Sequence, residues 1–418
     1  MYLTDRDKAL LDGIDGEASA TAMAALVQLG EAFDAADMVD IGYAHVHPGM
    51  ALYKGDVELI ESLSASGANM RVPVSTNIIN ADVGNWMQTG APKTLAALQK
   101  RSEAAHRKMG SSGCYTCTPY WAGHWPTWNM HIASIESGVT AFANSVLGAR
   151  ANRDGYFATY AGITGRYPRF GLHLDENRRP THRIVVDAAL DGTTDFTVLG
   201  YVIGERVRNG VPFISGLARR PTLDEMDALG VGQATSGGIS MFIVPGVTPP
   251  YEATAVADAA LDEIHVTLAD IRDIYDRFSA GDPQDVDLIH LGCPHASYNE
   301  MRDYSQLLAG RKLREGIELW VTTSRVVRQM AAESGLLQPI LASGAKIITD
   351  TCPMSCHFAR TVSPDPKLGV EAPRLRTVMV DSAKQAHYVR SMIQCPTLLG
   401  TARDVVDFAV TGDYRPRF

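Results

Sequence analysis

The sequence has few charged residues, few cysteines and no long apolar segment. Only 20% of its 418 residues are charged, and the formal net charge is -9 without any block of like charge. This pattern argues against a general binder of nucleic acids or anionic membranes. The uncharged apolar stretches fall short of the ~18 residues that a membrane helix needs, and the N-terminus shows no signal-peptide pattern. We expect a cytoplasmic enzyme that acts on small molecules.

Six cysteines are too few for a disulfide scaffold, and cytoplasmic thiols stay reduced. Cys293 and Cys352 each follow an apolar run and precede a helical pattern, where helix N–H groups favour a thiolate. Cys117, in "TCTPY", adds a third candidate ligand. Three protein ligands leave one position of a metal open, and a cluster with one iron lacking a protein ligand has the same count. The alternative is that each cysteine is a small buried apolar residue.

The other cysteines have weaker cases as ligands. Cys114 and Cys117 resemble half of a zinc knuckle, but the chain has no second CxxC or HxxxH pair. Cys356 lies close to Cys352 and competes with it for inclusion. Cys395 lies in an apolar neighbourhood, and we expect it in the core.

The order of periodic patterns predicts an α/β protein with more than one domain. The segment "ASATAMAALVQLGEAFDA" has helical spacing, whereas "DMVDIGYAHV" and "ANMRVPVSTNI" are typical of strands. A long helix is predicted over "TAVADAALDEIHVTLADIRDIYDRF", followed by a Gly and Pro linker near residue 281. We therefore predict an N-terminal α/β region, residues 1–280, and a C-terminal α/β domain, residues 281–418.

The C-terminal region predicts a parallel sheet. Four apolar runs, each followed by polar residues and a helical pattern, occur in "VDLIHLGCPHAS", "IELWVTTSRVV", "AKIITDTCPMSC" and "LRTVMVDSAKQAHYV". Ligands bind beyond the carboxyl ends of such strands. The chemistry is expected at this edge, with Cys293, Cys352 and the polar residues at 322–324 and 382–384.

Six motifs in order resemble the aconitase X family, and in particular its large catalytic subunit. They are "TCTPY", "FANSVLGARANR", "GLHLDENR", "LGCPHAS", "DTCPMS" and "DSAKQAHY". The resemblance implies an aconitase-like α/β fold, with parallel or mixed sheets flanked by helices in two or more domains around a central cleft. It also implies a hydro-lyase that holds an iron–sulfur cluster or a mononuclear iron through Cys117, Cys293 and Cys352.

The resemblance further implies a separate small subunit, a swivelling domain that carries the catalytic serine. Known substrates of the family are cis-3-hydroxy-L-proline and mevalonate 5-phosphate. We prefer hydroxyproline because the sequence lacks a glycine-rich phosphate loop and a thermophile-like excess of Lys and Glu. The hydrogen on carbon 2 of this substrate lies trans to the hydroxyl, so the metal and the base must act from opposite faces.

Candidate site residues follow from the motifs and the strand ends. Arg150 is the expected bidentate clamp for a carboxylate, and Lys384 opens a helix at an anion-friendly position. The expected catalytic residues are His295, Ser297 and Lys384, and the expected substrate contacts are Asn144, Ser145, Arg150, Ser382, His45 and Asn77. For each residue, a purely structural hydrogen bond is the alternative role.

Four positions depart from the family pattern and place the substrate in question: Asn129, Met130, Ile243 and Pro250. Two other functions also remain open. The chain could be a non-catalytic subunit that binds only together with its partner. It could also be a zinc hydrolase that uses Cys114 and Cys117.

Overall fold

The computed structural model describes residues 1–249, 261–358 and 374–418. Three separate parallel sheets, each flanked by helices, make up the structure, together with one antiparallel strand pair. The α/β fold class predicted from the sequence is confirmed. Within the described residues, no helix is both long and apolar enough to cross a membrane.

The first part of the chain contains a three-stranded parallel sheet with the strand order β3-β2-β4, and β1 pairs with β5 in an antiparallel ribbon. All four residues of β2 are buried, as expected for the central strand of a parallel sheet covered by helices. The strands are β1 (Met38–Asp40), β2 (Tyr43–Val46), β3 (Val74–Thr76), β4 (Ile132–Ser134) and β5 (Arg166–Pro168). The helices are α1 (Asp5–Leu11), α2 (Glu17–Ala32), α3 (Lys54–Ala65), α4 (Lys93–Lys108), α5 (Ser137–Phe142) and α6 (Phe157–Thr164).

The second part contains a parallel sheet with the strand order β7-β6-β8. Its strands are β6 (His182–Asp187), β7 (Pro212–Ser215) and β8 (Asp262–Thr267), and its helices are α7 (Gly192–Val207), α8 (Leu223–Gly237) and α9 (Leu268–Phe278). Helices α7 and α8 pack backbone to backbone. A Cβ on Gly200 would lie 2.3 Å from the carbonyl oxygen of Leu229, so only glycine permits this approach.

The long helix predicted before residue 279 is wrong in its middle part. Residues Asp262–Thr267 form β8, which pairs with β6 along its whole length, and the helix begins only at Leu268. Most side chains of β8 are exposed, so the strand shows only weak alternation of buried and exposed residues. Its sequence was therefore read as part of the helical pattern of α9. Residues 254–260 of the prediction lie outside the described residues.

The third part contains the five-stranded parallel sheet that the C-terminal runs predicted, in the order β11-β10-β9-β12-β13. The strands are β9 (Val286–Leu291), β10 (Glu318–Thr323), β11 (Lys346–Thr349), β12 (Thr377–Val380) and β13 (Thr397–Leu399). The helices are α10 (Tyr298–Leu308), α11 (Arg325–Glu333), α12 (Leu337–Ser343), α13 (Ala383–Tyr388) and α14 (Ala402–Thr411).

Four helices of this part begin at the carboxyl edge of the sheet, each with a hydroxyl side chain as its N-cap: Ser297, Ser324, Ser382 and Thr401. Each such cap contributes about 1 kcal/mol to stability. Because parallel strands end at one edge, these helix starts and the residues after β9, β11 and β12 come close together there.

Candidate active site

Cys117, Cys293 and Cys352 come from distant segments and converge. Cys117 follows Tyr115, which forms a parallel bridge to Thr76 at the end of β3, whereas Cys293 follows β9 and Cys352 follows β11. Cys117 and Cys352 belong to one small buried cluster. Both thiols act electrostatically on Cys293 and raise its pKa. The three thiols therefore lie within electrostatic range of one another, and their role as metal ligands stays a prediction.

His295 ties the segments of Cys117 and Cys352 together. Its backbone N–H donates to the sulfur of Cys117 at 3.3 Å. Its Nε2 lies 3.2 Å from the carbonyl oxygen of Thr351, so Nε2 carries the hydrogen, and Nδ1 then accepts from the hydroxyl of Thr116 at 3.0 Å. Both ring nitrogens are thus used within the protein. The catalytic role of His295 stays a prediction, and its contacts are those of a residue that positions the thiols.

Lys384 and Glu136 form a buried ion pair beside the thiols. The Nζ of Lys384 lies 2.7 Å from Oε1 of Glu136, and the two side chains are only 5% and 11% exposed. Burial alone would lower the pKa of Lys384, but Glu136 and the thiols of Cys293 and Cys117 raise it well above its ordinary value. Burial alone would raise the pKa of Glu136, and Lys384 holds it below its ordinary value. Both groups are charged at neutral pH.

The sequence analysis missed Glu136. Its other carboxylate oxygen accepts the N–H groups of Gly138 and Val139, so Glu136 is the N-cap of α5. A glutamate before a short helix is an ordinary pattern and signals no site by itself. Its partner lies 248 residues further along the chain, so only the fold could reveal the pair.

The surroundings of the thiols determine their charge. Burial raises the pKa of Cys117 to about 12 and that of Cys352 to about 11, whereas Lys384 acts to lower both. Burial also raises the pKa of Cys293 well above its ordinary value. The thiols are therefore protonated at neutral pH unless a cationic group binds them.

The three thiols fit iron–sulfur ligation in donor type and number. Within the described ranges, no group of three or more His, Cys, Asp or Glu side chains is arranged to hold a single metal ion. Thiolates are ligands of clusters and of single iron ions alike, so the identity of the iron group stays a prediction.

The other cysteines lie elsewhere. Cys114 interacts electrostatically with Asp350 and Arg325, and burial raises its pKa to about 12. Cys356 and Cys395 are buried in the large hydrophobic core, which confirms the expectation for Cys395. All six cysteines fall in the described ranges, and none forms a disulfide there.

His45 and Asn77 lie at the ends of β2 and β3. The Nδ1 of His45 is 2.8 Å from the hydroxyl oxygen of Ser75, which also bonds to the hydroxyl of Tyr43. Burial lowers the pKa of His45 to about 4, whereas Glu136 acts to raise it. The side chain of Asn77 accepts the N–H of Ile78 at 2.9 Å. A substrate contact by either residue stays a prediction.

Ser297 and Ser382 serve as helix caps. The hydroxyl oxygen of Ser297 accepts the N–H of Glu300 at 3.1 Å, and that of Ser382 accepts the N–H of Gln385 at 3.5 Å. These bonds place both hydroxyls at the carboxyl edge of the five-stranded sheet. Their proposed catalytic and substrate-binding roles remain untested.

Arg150 is held in a different network. Its guanidinium donates to Asn129 at 2.6 Å, to the carbonyl oxygen of His173 at 3.1 Å and to Asp175. These bonds occupy the guanidinium, so the clamp stays a prediction that the contacts do not support.

Asn144 and Ser145 are also committed to structural bonds. Asn144 binds the backbone of Ala151 and Ser240, and its oxygen accepts a bond from Arg178 at 2.9 Å. Ser145 accepts the N–H of Phe242 at 2.9 Å. Neither residue makes a hydrogen bond to the thiol cluster in the described structure.

Three of the four departures from the family pattern lie within the described residues. Asn129 has a positive φ of 63° and binds Arg150. Met130 packs against Gly42, and Ile243 is buried with Met241 in a separate small cluster. Pro250 lies outside the described residues. Asn129 and Met130 therefore act on the structure around Arg150, whereas Ile243 packs elsewhere.

A small cavity lies beside Cys293, and a larger cavity adjoins it. The small one has a volume of about 10 Å³ and is lined by Cys293 and by four carboxyl side chains: Asp224, Asp227, Glu300 and Asp381. It shares Thr193, Asp224 and Glu300 with the larger cavity of about 660 Å³. Sequence analysis missed these carboxyl groups. Each lies within or just before a helix, where an acidic residue is usually on the surface.

The fold and the site define a class of protein. It is a multidomain α/β protein in which three thiols from distant segments come close together. Three family models match the chain in order: aconitase X first domain over residues 1–176, second domain over 180–276 and third domain over 286–411. The chain belongs to the aconitase X family.

Similar proteins fall under two names. The chain is 38% identical over 395 residues to a phosphomevalonate dehydratase large subunit of Methanothermobacter thermautotrophicus, with 94% of each chain covered. It is 32% identical to a cis-3-hydroxy-L-proline dehydratase of Pseudomonas aeruginosa, with 97% of this chain and 69% of that protein covered. The hydro-lyase class expected from the sequence is confirmed at the level of the family, because these relatives are named dehydratases.

A solved structure has the same fold. The crystal structure of Thermococcus kodakaraensis aconitase X in its holo-form superposes with a TM-score of 0.86 at 32% identity, and it covers 98% of this chain and 100% of that chain. This agreement extends the family assignment from the sequence to the whole three-part architecture.

Proposed function

We propose that the chain is the large subunit of an iron-dependent hydro-lyase that removes water from cis-3-hydroxy-L-proline. The observation that carries this proposal is the convergence of Cys117, Cys293 and Cys352 beside the buried pair of Lys384 and Glu136. When bound by these thiols, an iron–sulfur cluster would act as a Lewis acid toward the leaving hydroxyl.

The chain's own residues bind and orient the substrate. Lys384 uses one ammonium hydrogen on Glu136 and keeps two donors, which can bind the substrate carboxylate. His295 holds the Cys117 and Cys352 segments in register through Thr116 and Thr351. The base that removes the proton on carbon 2 must act from the opposite face, and we assign it to the serine of a partner subunit.

The charge around the thiols supports a zwitterionic substrate. In the described part of the chain, the strongest side-chain charges that act on these thiols include one cation, Lys384, and two acids, Glu136 and Asp381. Hydroxyproline carries no net charge and suits such a site. Mevalonate 5-phosphate carries a carboxylate and a phosphate, and it would need more cationic side chains than this site offers.

Mevalonate 5-phosphate is the second candidate, and the relatives favour it. The large subunits named for phosphomevalonate reach 38% identity and match along 94% of their length, whereas the hydroxyproline dehydratases match at 32% and 29% over 69% of theirs. The name large subunit in those relatives also supports a separate small subunit here.

One assay separates these readings. The chain is co-purified anaerobically with its candidate small subunit, reconstituted with iron and sulfide, and incubated with each substrate. We expect water loss from cis-3-hydroxy-L-proline and none from mevalonate 5-phosphate. The reverse result would assign the second function. Lack of turnover of both substrates by an iron-loaded complex would favour a non-catalytic binding subunit.

A further inference from the structure

The small cavity beside Cys293 has the size of a single water molecule. Its volume is about 10 Å³, close to the minimum of roughly 10–15 Å³ that one water requires. Asp381, which is 5% exposed, lines it and has one carboxyl oxygen, Oδ1, that is buried without a hydrogen-bond partner. A water in this cavity would have polar groups to bind.

Asp224 and Glu300 connect this small cavity with the large one, since both residues line both cavities. Oε2 of Glu300 accepts the N–H of Ser297 at 3.0 Å, and Oδ2 of Asp224 accepts from Asn299 at 3.4 Å. Oδ1 of Asp224 is buried without a partner. A buried carboxyl oxygen without a hydrogen-bond partner is stabilised when a proton lies between it and a neighbouring group.

The electrostatic surroundings favour one proton on this pair. Burial raises the pKa of Asp224 and raises that of Glu300 well above its ordinary value, and the charge of Asp224 raises the latter further. When one acid of the pair is ionised, its negative charge makes it harder for the other acid to lose its proton.

The charged side chains with the strongest influence on the pair are acidic: Asp303 and Glu225 act on Asp224, and Asp381 and Asp227 act on Glu300. The cations that share the large cavity with the pair are Arg302, Arg403 and Arg417. Burial raises the pKa of Asp381 to about 7 and that of Asp227 to about 8. Tyr304 and Tyr120 donate their hydroxyl hydrogens to Asp381 and Asp227.

We propose that Asp224 and Glu300 share one proton and, together with the water-sized cavity, pass protons between the Cys293 side of the active site and the large cavity. This inference rests on the proposed dehydration. In that reaction a C–H bond and a C–O bond break, a C=C bond forms, and the departing hydroxide takes up one proton to leave as water. The pair supplies this proton and regains one from solvent in the large cavity, while the proton that the partner's base takes from carbon 2 is released to solvent.

The shared proton can be tested on the purified chain without iron or partner. Infrared difference spectra between pH 5 and pH 9 report protonated carboxyl groups. We expect that Glu300→Gln and Asp224→Asn each remove one protonated carboxyl signal that persists at neutral pH. Asp404→Asn is the matched control because Asp404 occupies the same capping position in α14 as Glu300 does in α10, and it lines the large cavity only.

The proton path is tested on the iron-loaded complex with its partner. Glu300→Gln and Asp224→Asn should lower kcat by about 100-fold or more at unchanged KM, as expected for loss of a proton-transfer group, and should change the pH profile of kcat. Asp404→Asn should leave kcat within twofold. Gln at 300 can still accept the N–H of Ser297, so the helix cap is kept.

The outcomes separate the two proposals. Unchanged kcat and pH profile in both variants of an active complex would overturn the proton path, as would spectra in which neither variant loses a carboxyl signal. If the wild-type complex consumes neither substrate, the proposed function fails, and the infrared result then decides alone whether the pair holds a proton.

Discussion

The buried pair of Lys384 and Glu136 gives the sharpest test of the site. Its atoms lie 2.7 Å apart and its side chains are almost fully enclosed. Glu136→Gln keeps the size of the side chain and its capping bonds to α5, so the variant removes mainly the negative charge. Breaking a buried ion pair on one side leaves an uncompensated charge and costs about 3–5 kcal/mol. We expect this loss in the free energy of unfolding by urea at pH 7.

The chain offers a matched control for this experiment. Lys54 and Glu58 form an ion pair with a similar distance, 2.8 Å, but their side chains are 59% and 52% exposed. Glu58→Gln should therefore cost less than about 0.5 kcal/mol. Adding Lys384→Met to Glu136→Gln should recover part of the loss, because it removes the unpaired buried charge. Equal effects of Glu136→Gln and Glu58→Gln would refute the reasoning.

The pH dependence of this contribution has a defined sign at both ends. The folded-state pKa of Glu136 is held below 4.5, so its part of the stability is present above that pH and disappears as the pH falls through the folded pKa. The folded-state pKa of Lys384 is raised above 10.5, so its part is complete below pH 10.5 and disappears as the pH rises through the folded pKa. In the wild type this contribution should thus stay constant between about pH 5 and pH 10. In Glu136→Gln, burial without the partner lowers the pKa of Lys384, so the difference from wild type should shrink as the variant loses that proton at alkaline pH.

Three further predictions concern the thiols, the backbone and the partner. Lys384→Met should slow alkylation of Cys293 by iodoacetamide at pH 8 in the iron-free chain, because Lys384 acts to lower the pKa of that thiol; an unchanged rate would contradict this electrostatic role. Gly292→Ala should cost several kcal/mol more in urea unfolding than Gly310→Ala, since both residues have a positive φ but only a Cβ at 292 would lie 2.4 Å from a backbone oxygen. The chain without its small subunit should show no dehydration in a substrate-depletion assay, and turnover by the isolated chain would disprove the placement of the base on the partner.

The sequence predicted the parts of the fold that depend on periodic burial. The runs leading to β9, β10, β11 and β12 are continuous apolar segments, and their pattern correctly predicted a parallel sheet with Cys293 and Cys352 at its carboxyl edge. Strand β8 was missed because its side chains are mostly exposed and it precedes a strongly amphipathic helix.

The site was only partly predictable because its charged residues are far apart in the sequence and come together only in the fold. Glu136 and Lys384 are ordinary in their local sequence patterns, and they meet only because the fold brings the N-cap of α5 next to the start of α13. The interpretation of Arg150 as a clamp followed from its motif, whereas the fold binds its guanidinium to Asn129 and Asp175. The motifs pointed to three thiols that lie near one another in the fold, but they did not indicate which charged residues surround them.

Iron binding by the cysteine variants tests the central claim most directly. The chain is reconstituted anaerobically with iron and sulfide, and the bound iron and the visible absorbance are measured. We predict that serine at position 117, 293 or 352 abolishes both signals, whereas Cys395→Ser retains them. Wild-type iron content in any of the three variants, or its loss in Cys395→Ser, would contradict the account.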